Sequence, residues 1–278
     1  MIRIALTIAG LDPSGGAGII ADVKTFAAFG CFPTAAISSI TFQNTQGVYG
    51  TVHQTAESVR GQIIPILDDY TIDALKTGML PTREVIDEVA AIIAERRLKN
   101  IIVDPVVRST SGFDLIDDEA LKVLIEKLFP VADLITPNIP EAERIAGISI
   151  QSEQDIQDAS RIMREMGARN VLIKGGHFLT AEDGRRKAES EKGNGAVSRI
   201  ARDFLFLDGE LQVLEAEYFE TTATHGTGCT LSSAIAANLA LGKDLLEAVA
   251  IAKQFVNEAI RTAPMIGHGH SPINIKPI

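Results

Sequence analysis

The chain has 278 residues, 46% of them hydrophobic, with 26 basic against 36 acidic side chains and a formal net charge of −10. That is apolar material enough for a full buried core. The acidic balance, with no basic stripe, argues against nucleic acid as the main partner.

In chain order, apolar runs of strand length alternate with helical patterns. "IRIALTIAG" (2–10) predicts a first buried strand and not a signal peptide, since no small-residue cleavage site follows a longer apolar stretch. Residues 18–30 predict a helix closed by Gly30, and 34–43 a strand. The pattern at 56–70 is helical, although Pro65 should kink or break it. Residues 73–80 and 100–107 predict strands on either side of a helix at 82–97. A helix at 117–129 starts acidic and turns basic, as the macrodipole favours. A short strand at 133–138, a helix at 154–167 and a strand at 170–176 follow. The charged, glycine-interrupted stretch 181–203 has little apolar periodicity and predicts a surface excursion. "FLFLDGELQVLEAEYF" then predicts a β-hairpin turning at Asp208-Gly209, before two closing helices at 227–241 and 245–263. This rhythm predicts one α/β domain over residues 1–278, with a central, mostly parallel sheet and helices on both faces. No apolar run approaches the ~20 residues that span a bilayer. The expectation is a soluble, cytoplasmic protein with no membrane partner.

Ligands gather where the strands of such a sheet end. The loop Gly10–Gly18, "GLDPSGGAG", opens a helix but matches neither a P-loop nor GxGxxG, so a phosphate cradle and a tight strand-to-helix connection both stay open. Asp22, one turn into that helix, reads by itself as a solvated surface acid. Gln43 and Asn44 follow a buried strand, where amides either read a ring nitrogen or form a turn with Gly47. Asp104, Asn138 and Glu141 end adjacent strands, which suits Mg²⁺ held partly through water or, for Asn138, a helix cap. Gly226, Thr227 and Gly228 would present backbone N–H groups at a helix start, an anion hole for a transferring phosphoryl group. Cys229 at that positive end is expected to have a lowered pKa. Cys31 and Cys229, far apart in sequence, make neither a disulfide framework nor a paired metal motif. His268 and His270 near the end lack the further ligands of a metal site.

Seven motifs in order, "AGLDPSGGAGIIADVKT", "QNTQGV", "KTGML", "DPVV…SG", "TPNIPEAE", "KGGH" and "THGTGCTLSSAIAANLA", resemble the hydroxymethylpyrimidine/phosphomethylpyrimidine kinases of the ribokinase-like superfamily. The resemblance covers nearly the whole chain apart from about 181–205. It implies two ATP-dependent phosphorylations of 4-amino-5-hydroxymethyl-2-methylpyrimidine, first of its hydroxyl and then of the monophosphate, in thiamine biosynthesis. It implies that Gln43 reads the pyrimidine and that Gly10, Asp22, Met79 and Val106 belong to the substrate pocket. Asp104 and Glu141 resemble the acids that support Mg²⁺ and ATP, with Asn138 beside them, and Lys174 to His177 border the nucleotide. Gly226, Thr227 and Gly228 match the anion hole, and Cys229 the catalytic base. A monovalent cation and a homodimer are further expectations of the resemblance. Leu11, Ile20 and Thr110 depart from the pattern, which often has Ser, Gln and Lys there, and Thr110 puts the second phosphorylation in question. Two alternatives are a pyridoxal kinase of the same branch, disfavoured by His225 where a second Cys can stand, and a non-catalytic ligand-binding relative, disfavoured by the retention of Cys229, Asp104 and Glu141.

Overall fold

The computed structural model describes residues 2–107, 115–176 and 200–277. One nine-stranded sheet runs through them, in the order β3-β2-β1-β4-β5-β6-β7-β8-β9. Strands β1 (Ile4–Leu11), β2 (Phe32–Asn44), β4 (Ala74–Thr77), β5 (Ile101–Val103), β6 (Leu134–Ile135) and β7 (Val171–Gly176) are parallel. β3 (Gly47–His53) and the pair β8 (Ile200–Leu207) and β9 (Glu210–Glu217) are antiparallel at the two edges. Because β1 is flanked by β2 on one side and β4 on the other, the winding reverses beside β1, where such sheets open a crevice.

The central strands are buried along almost their whole length, which explains their near-continuous apolar runs. On one face lie α1 (Gly18–Ala28), α7 (Thr227–Ala240) and α8 (Leu245–Arg261). The opposite face carries α2 (Ala56–Asp69), α3 (Arg83–Arg96), α4 (Asp118–Leu128), α5 (Ile139–Ala146) and α6 (Glu153–Glu165). None of the described helices is long and apolar enough to cross a membrane.

Two expectations need correction. Pro65 neither breaks nor ends α2, which runs unbroken from Ala56 to Asp69. Pro65 and Gly61 are both exposed, so the carbonyl that Pro65 cannot satisfy faces water. At Asn44 the turn reading holds, since Asn44 Oδ1 accepts from the backbone of Gln46 at 2.8 Å and of Gly47 at 3.3 Å, and a strand not assigned above, β3, follows. Finally, Ile200–Asp203, assigned above to the surface excursion, begins β8, while residues 181–199 lie outside the described ones. The hairpin at Asp208-Gly209 has positive φ at both residues, 51° and 96°, as a two-residue type I′ turn requires.

A buried ion pair pins the middle of the molecule. Lys76, a charged residue inside β4, is fully buried and donates to both oxygens of Asp22 on α1, at 3.0 and 2.9 Å. Thr7 of β1 and Ser233 of α7 each donate to Asp22 at 2.7 Å. Burial by itself would push the Lys76 ammonium down, but Asp22 in contact, with Cys229 and Asp104 nearby, holds it above the usual lysine range. Removing one member of such a pair leaves the other charged and unpaired in the core. Asp22→Ala is therefore expected to destabilise the protein by about 3–5 kcal/mol, read from urea unfolding. A loss below about 1 kcal/mol would mean that the pair is not held as described.

Candidate active site

A cavity of about 880 Å³ opens at the carboxyl ends of the parallel strands. On one side it is lined by Gly10 at the end of β1, Gln43 near the end of β2, Met79 after β4 and Val106 after β5. An ideal Cβ placed on Gly10 would lie 3.2 Å from Met79 Sδ, so the thioether and the bare backbone share one wall. Thr41 Oγ1 donates to Gln43 Oε1 at 3.0 Å, which orients that amide. Asp22, expected among these residues, does not line the cavity. It is neither a solvated surface acid nor open to a ligand, because it lies beneath the floor with both oxygens held by Lys76, Thr7 and Ser233.

The opposite side carries Asp104, Asn138, Glu141 and Lys174. Asn138 and Glu141 form a reciprocal capping box at the start of α5: Asn138 Oδ1 accepts from the Glu141 amide at 2.9 Å, and Glu141 Oε2 from the Asn138 amide at 2.8 Å. Lys174 Nζ donates to Asp104 Oδ1 at 2.8 Å, and Thr136 Oγ1 donates to the same oxygen at 3.0 Å. Burial would raise the Asp104 carboxyl, but Lys174 and Lys76 hold it below the usual carboxylate range. Burial, with the Asp104 charge adding to it against the pull of Lys174, pushes Glu141 up to about 7. His177 and Thr110 lie outside the described residues.

Gly226, Thr227, Gly228 and Cys229 form the third wall. Gly226 is the N-cap of α7 at φ 85°, and no side chain caps the helix. First-turn N–H groups have no acceptor inside their own helix. The Thr227 amide finds the Thr224 carbonyl at 3.4 Å, and Gly228 and Cys229 line the cavity beside Lys174, whose Nζ would lie 3.2 Å from a Cβ on Gly228. An uncapped helix start beside an ammonium is a ready anion site. The positive φ and the close approach explain the glycines: a Cβ on Gly226 would fall 1.8 Å from the Gly16 carbonyl oxygen.

The structure reverses the expected ionisation of Cys229. Burial pushes its thiol up to about 11, reinforced by Asp22 and Asp104 and opposed by Lys76 and the Gly18 backbone amide. The helix start is real, but the half-buried thiol has two carboxylates near it. The resting thiol is protonated at neutral pH.

Several residues of the site were not assigned roles from sequence. Lys76 carried a signal, because a lysine within an apolar strand buried on both faces must have a partner. Ser232 and Ser233 looked like ordinary helix residues, yet Ser232 Oγ lies 2.9 Å from Thr136 Oγ1 and so joins α7 to the Asp104 network. Lys253 of α8 donates to Asp203 Oδ2 at 2.8 Å, and Asp203 Oδ1 accepts from the Gly175 amide at 3.0 Å on the cavity wall. The partners of these residues are too remote in sequence for any local pattern to pair them.

The donor set fits a hydrated Mg²⁺ arriving with a nucleotide. Asp104 is ionised and has one oxygen already held, and Glu141, about half protonated at neutral pH, would lose its proton to a nearby cation. Among the described residues no three His, Cys, Asp or Glu side chains form a ready cluster, so water and phosphate would complete the shell.

The raised thiol has a direct test. In the ligand-free protein, alkylation of Cys229 by iodoacetamide, followed by mass spectrometry, should rise about tenfold per pH unit from 7 to near 10. A plateau below pH 9 would contradict the buried environment described.

Comparison with known proteins agrees with this geometry. The family described as phosphomethylpyrimidine kinase matches residues 12–274. The chain is 40% identical over 274 residues to a hydroxymethylpyrimidine/phosphomethylpyrimidine kinase of Haemophilus influenzae, covering 98% of this chain and 96% of that one. Among solved structures, a phosphomethylpyrimidine kinase from Clostridium difficile superposes with a TM-score of 0.76 at 38% identity, over 93% of this chain and 99% of the other. An ADP complex of Bacillus subtilis pyridoxal kinase superposes with a TM-score of 0.84 at 34% identity, over 100% of this chain and 98% of the other. The fold is thus ribokinase-like, and the chain belongs to the phosphomethylpyrimidine kinase family of phosphotransferases.

Proposed function

We propose that this cavity passes the γ-phosphoryl group of ATP to the hydroxymethyl group of 4-amino-5-hydroxymethyl-2-methylpyrimidine, and then a second phosphoryl group to the monophosphate, as a step in thiamine biosynthesis. The observation that carries the reading is the position of Cys229. It sits in the first turn of an uncapped helix, between a wall holding Gln43 and Met79 and a wall holding Lys174 and Asp104. An acceptor hydroxyl on the first wall and a phosphoryl group against the second meet at that turn.

Gln43 offers the donor and acceptor that a ring nitrogen and amino group require. Met79 and Val106 supply apolar contact for the ring. The Gly228 and Cys229 amides and Lys174 hold the phosphoryl oxygens. Such transfers ask the protein mainly for alignment and charge stabilisation. Mg²⁺ bound with ATP, supported by Asp104 and Glu141, supplies further neutralisation of phosphate charge. In the first transfer Cys229 takes the hydroxyl proton as the oxygen–phosphorus bond forms and the bond to the leaving ADP oxygen breaks; in the second the acceptor is a phosphate oxygen already largely ionised at neutral pH and needs no base. With its pKa near 11, the thiol must ionise first, and Lys76 below it favours that state.

Pyridoxal is the second acceptor to consider, because a pyridoxal kinase is among the similar structures. One assay separates the readings: ATP consumption with Mg²⁺ and hydroxymethylpyrimidine, its monophosphate or pyridoxal. Turnover of both pyrimidines is expected, and turnover of pyridoxal alone would overturn the assignment of Gln43 and Met79. Cys229→Ala should lower kcat by about 10²–10⁴-fold while ATP binding changes little. Near-normal turnover would remove Cys229 from the base role.

A further inference from the structure

His225 stands immediately before the phosphoryl-holding turn, and the proposed reaction gives it no task. Its Nε2–H donates to Asp12 Oδ2 at 2.7 Å, with both side chains buried. The ionised carboxylate can only accept, which fixes the proton on Nε2. Asp12 in turn organises the loop after β1. Its Oδ1 accepts from the Ser14 amide at 2.8 Å and from Ser14 Oγ at 2.7 Å, and its Oδ2 from the Ala17 amide at 2.9 Å. The imidazole packs so closely on this loop that a Cβ on Gly16 would fall 2.2 Å from its Cδ2.

The main chain of His225 reaches in another direction. Its N–H donates to the Ser271 carbonyl at 3.3 Å, and the residue bridges to Pro272. The same tail grips the β2–β3 turn: the His270 amide donates to the Thr45 carbonyl at 2.7 Å, and the His268 amide to Thr45 Oγ1 at 3.2 Å. Thr45 lies two residues after Gln43. One residue thus ties both acceptor-side loops to the anion-holding turn. Stability alone is a weak account of the contact, since a buried hydrogen-bonded polar pair contributes little beyond what apolar residues of the same shape would.

We propose that His225 is a positioning residue. Through its imidazole bond to Asp12, beside a main chain that anchors the tail, it sets the spacing between the acceptor pocket and the phosphoryl-holding turn, so that the acceptor hydroxyl meets the phosphoryl group in line. The proposal rests on the pyrimidine-kinase reading above for its kinetic consequences, but not for the structural tie.

The test compares wild type, His225→Ala and His225→Gln, whose amide can still donate to Asp12. In the alanine variant kcat should fall about 10²-fold and the acceptor KM should rise, as expected for a misplacement of roughly 1 Å. Affinity for a non-hydrolysable ATP analogue should hold within about twofold, and the amides of residues 12–18 should lose hydrogen-exchange protection. The glutamine variant should recover at least about tenfold of the lost kcat. Should the alanine variant not fold, His225→Asn, polar but too short to reach Asp12, takes its place. A kcat within about threefold of wild type, a parallel loss of ATP-analogue affinity, or a glutamine variant no better than alanine would each overturn the proposal. If wild type itself does not phosphorylate the pyrimidine, the functional reading fails separately. Exchange at residues 12–18 then decides the tie, and unchanged protection there overturns it.

Discussion

The contact between Lys76 and Asp22 constrains everything above it. A lysine in a strand buried on both faces must keep a carboxylate beside it, and that carboxylate comes from α1, with Thr7 and Ser233 completing its shell. Ser233 is the important partner for function. It lies four residues after Cys229 on α7, so the two share a helix face. Fixing Ser233 against Asp22 fixes the rotation of α7, and with it the direction of the thiol and of the open N–H groups. Ser232, one residue earlier, meets Thr136 and through it Asp104, so adjacent serines tie α7 to both acidic centres.

These same contacts set the electrostatics. Lys76 is balanced by Asp22, and Lys174 by Asp104, while the thiol near 11 adds little charge and Glu141 near 7 about half a charge in the resting state. A triphosphate entering this space meets the fixed ammonium of Lys174 and a helix start that need not reorganise, with the buried Lys76 below them. Preorganised charge of this kind is the main contribution a protein makes to phosphoryl transfer. The protonated thiol follows from the same neighbourhood: partial burial and the Asp22 and Asp104 carboxylates disfavour an anion on sulfur.

Local chemistry was legible from the sequence alone, and distant partnership was not. The alternation of strands and helices, the Asp208-Gly209 turn and the glycine-started helix at 227 all rest on neighbours in the chain, and each is found. The loops carrying Gly10, Gln43, Met79, Val106, Asp104, Lys174 and Cys229 do meet at one cavity. Asp22 was misplaced because its partners Thr7, Lys76 and Ser233 come from three other elements. Pro65 was overrated as a breaker because local rules do not show which carbonyl faces water. The direction of the Cys229 shift was missed for a related reason: a helix start can be read locally, but burial beside Asp22 and Asp104 cannot. Asp12 and His225, more than two hundred residues apart, had no joint signal beyond the glycines that let them touch.

The reaction itself is best tested by ³¹P NMR of the products formed with ATP, Mg²⁺ and hydroxymethylpyrimidine. A phosphomonoester resonance should grow first and then give way to the paired resonances of a diphosphate ester, with ADP accumulating in step. Inorganic phosphate and ADP without any phosphorylated pyrimidine would contradict the proposed chemistry, leaving a nucleotide site whose acceptor is something else.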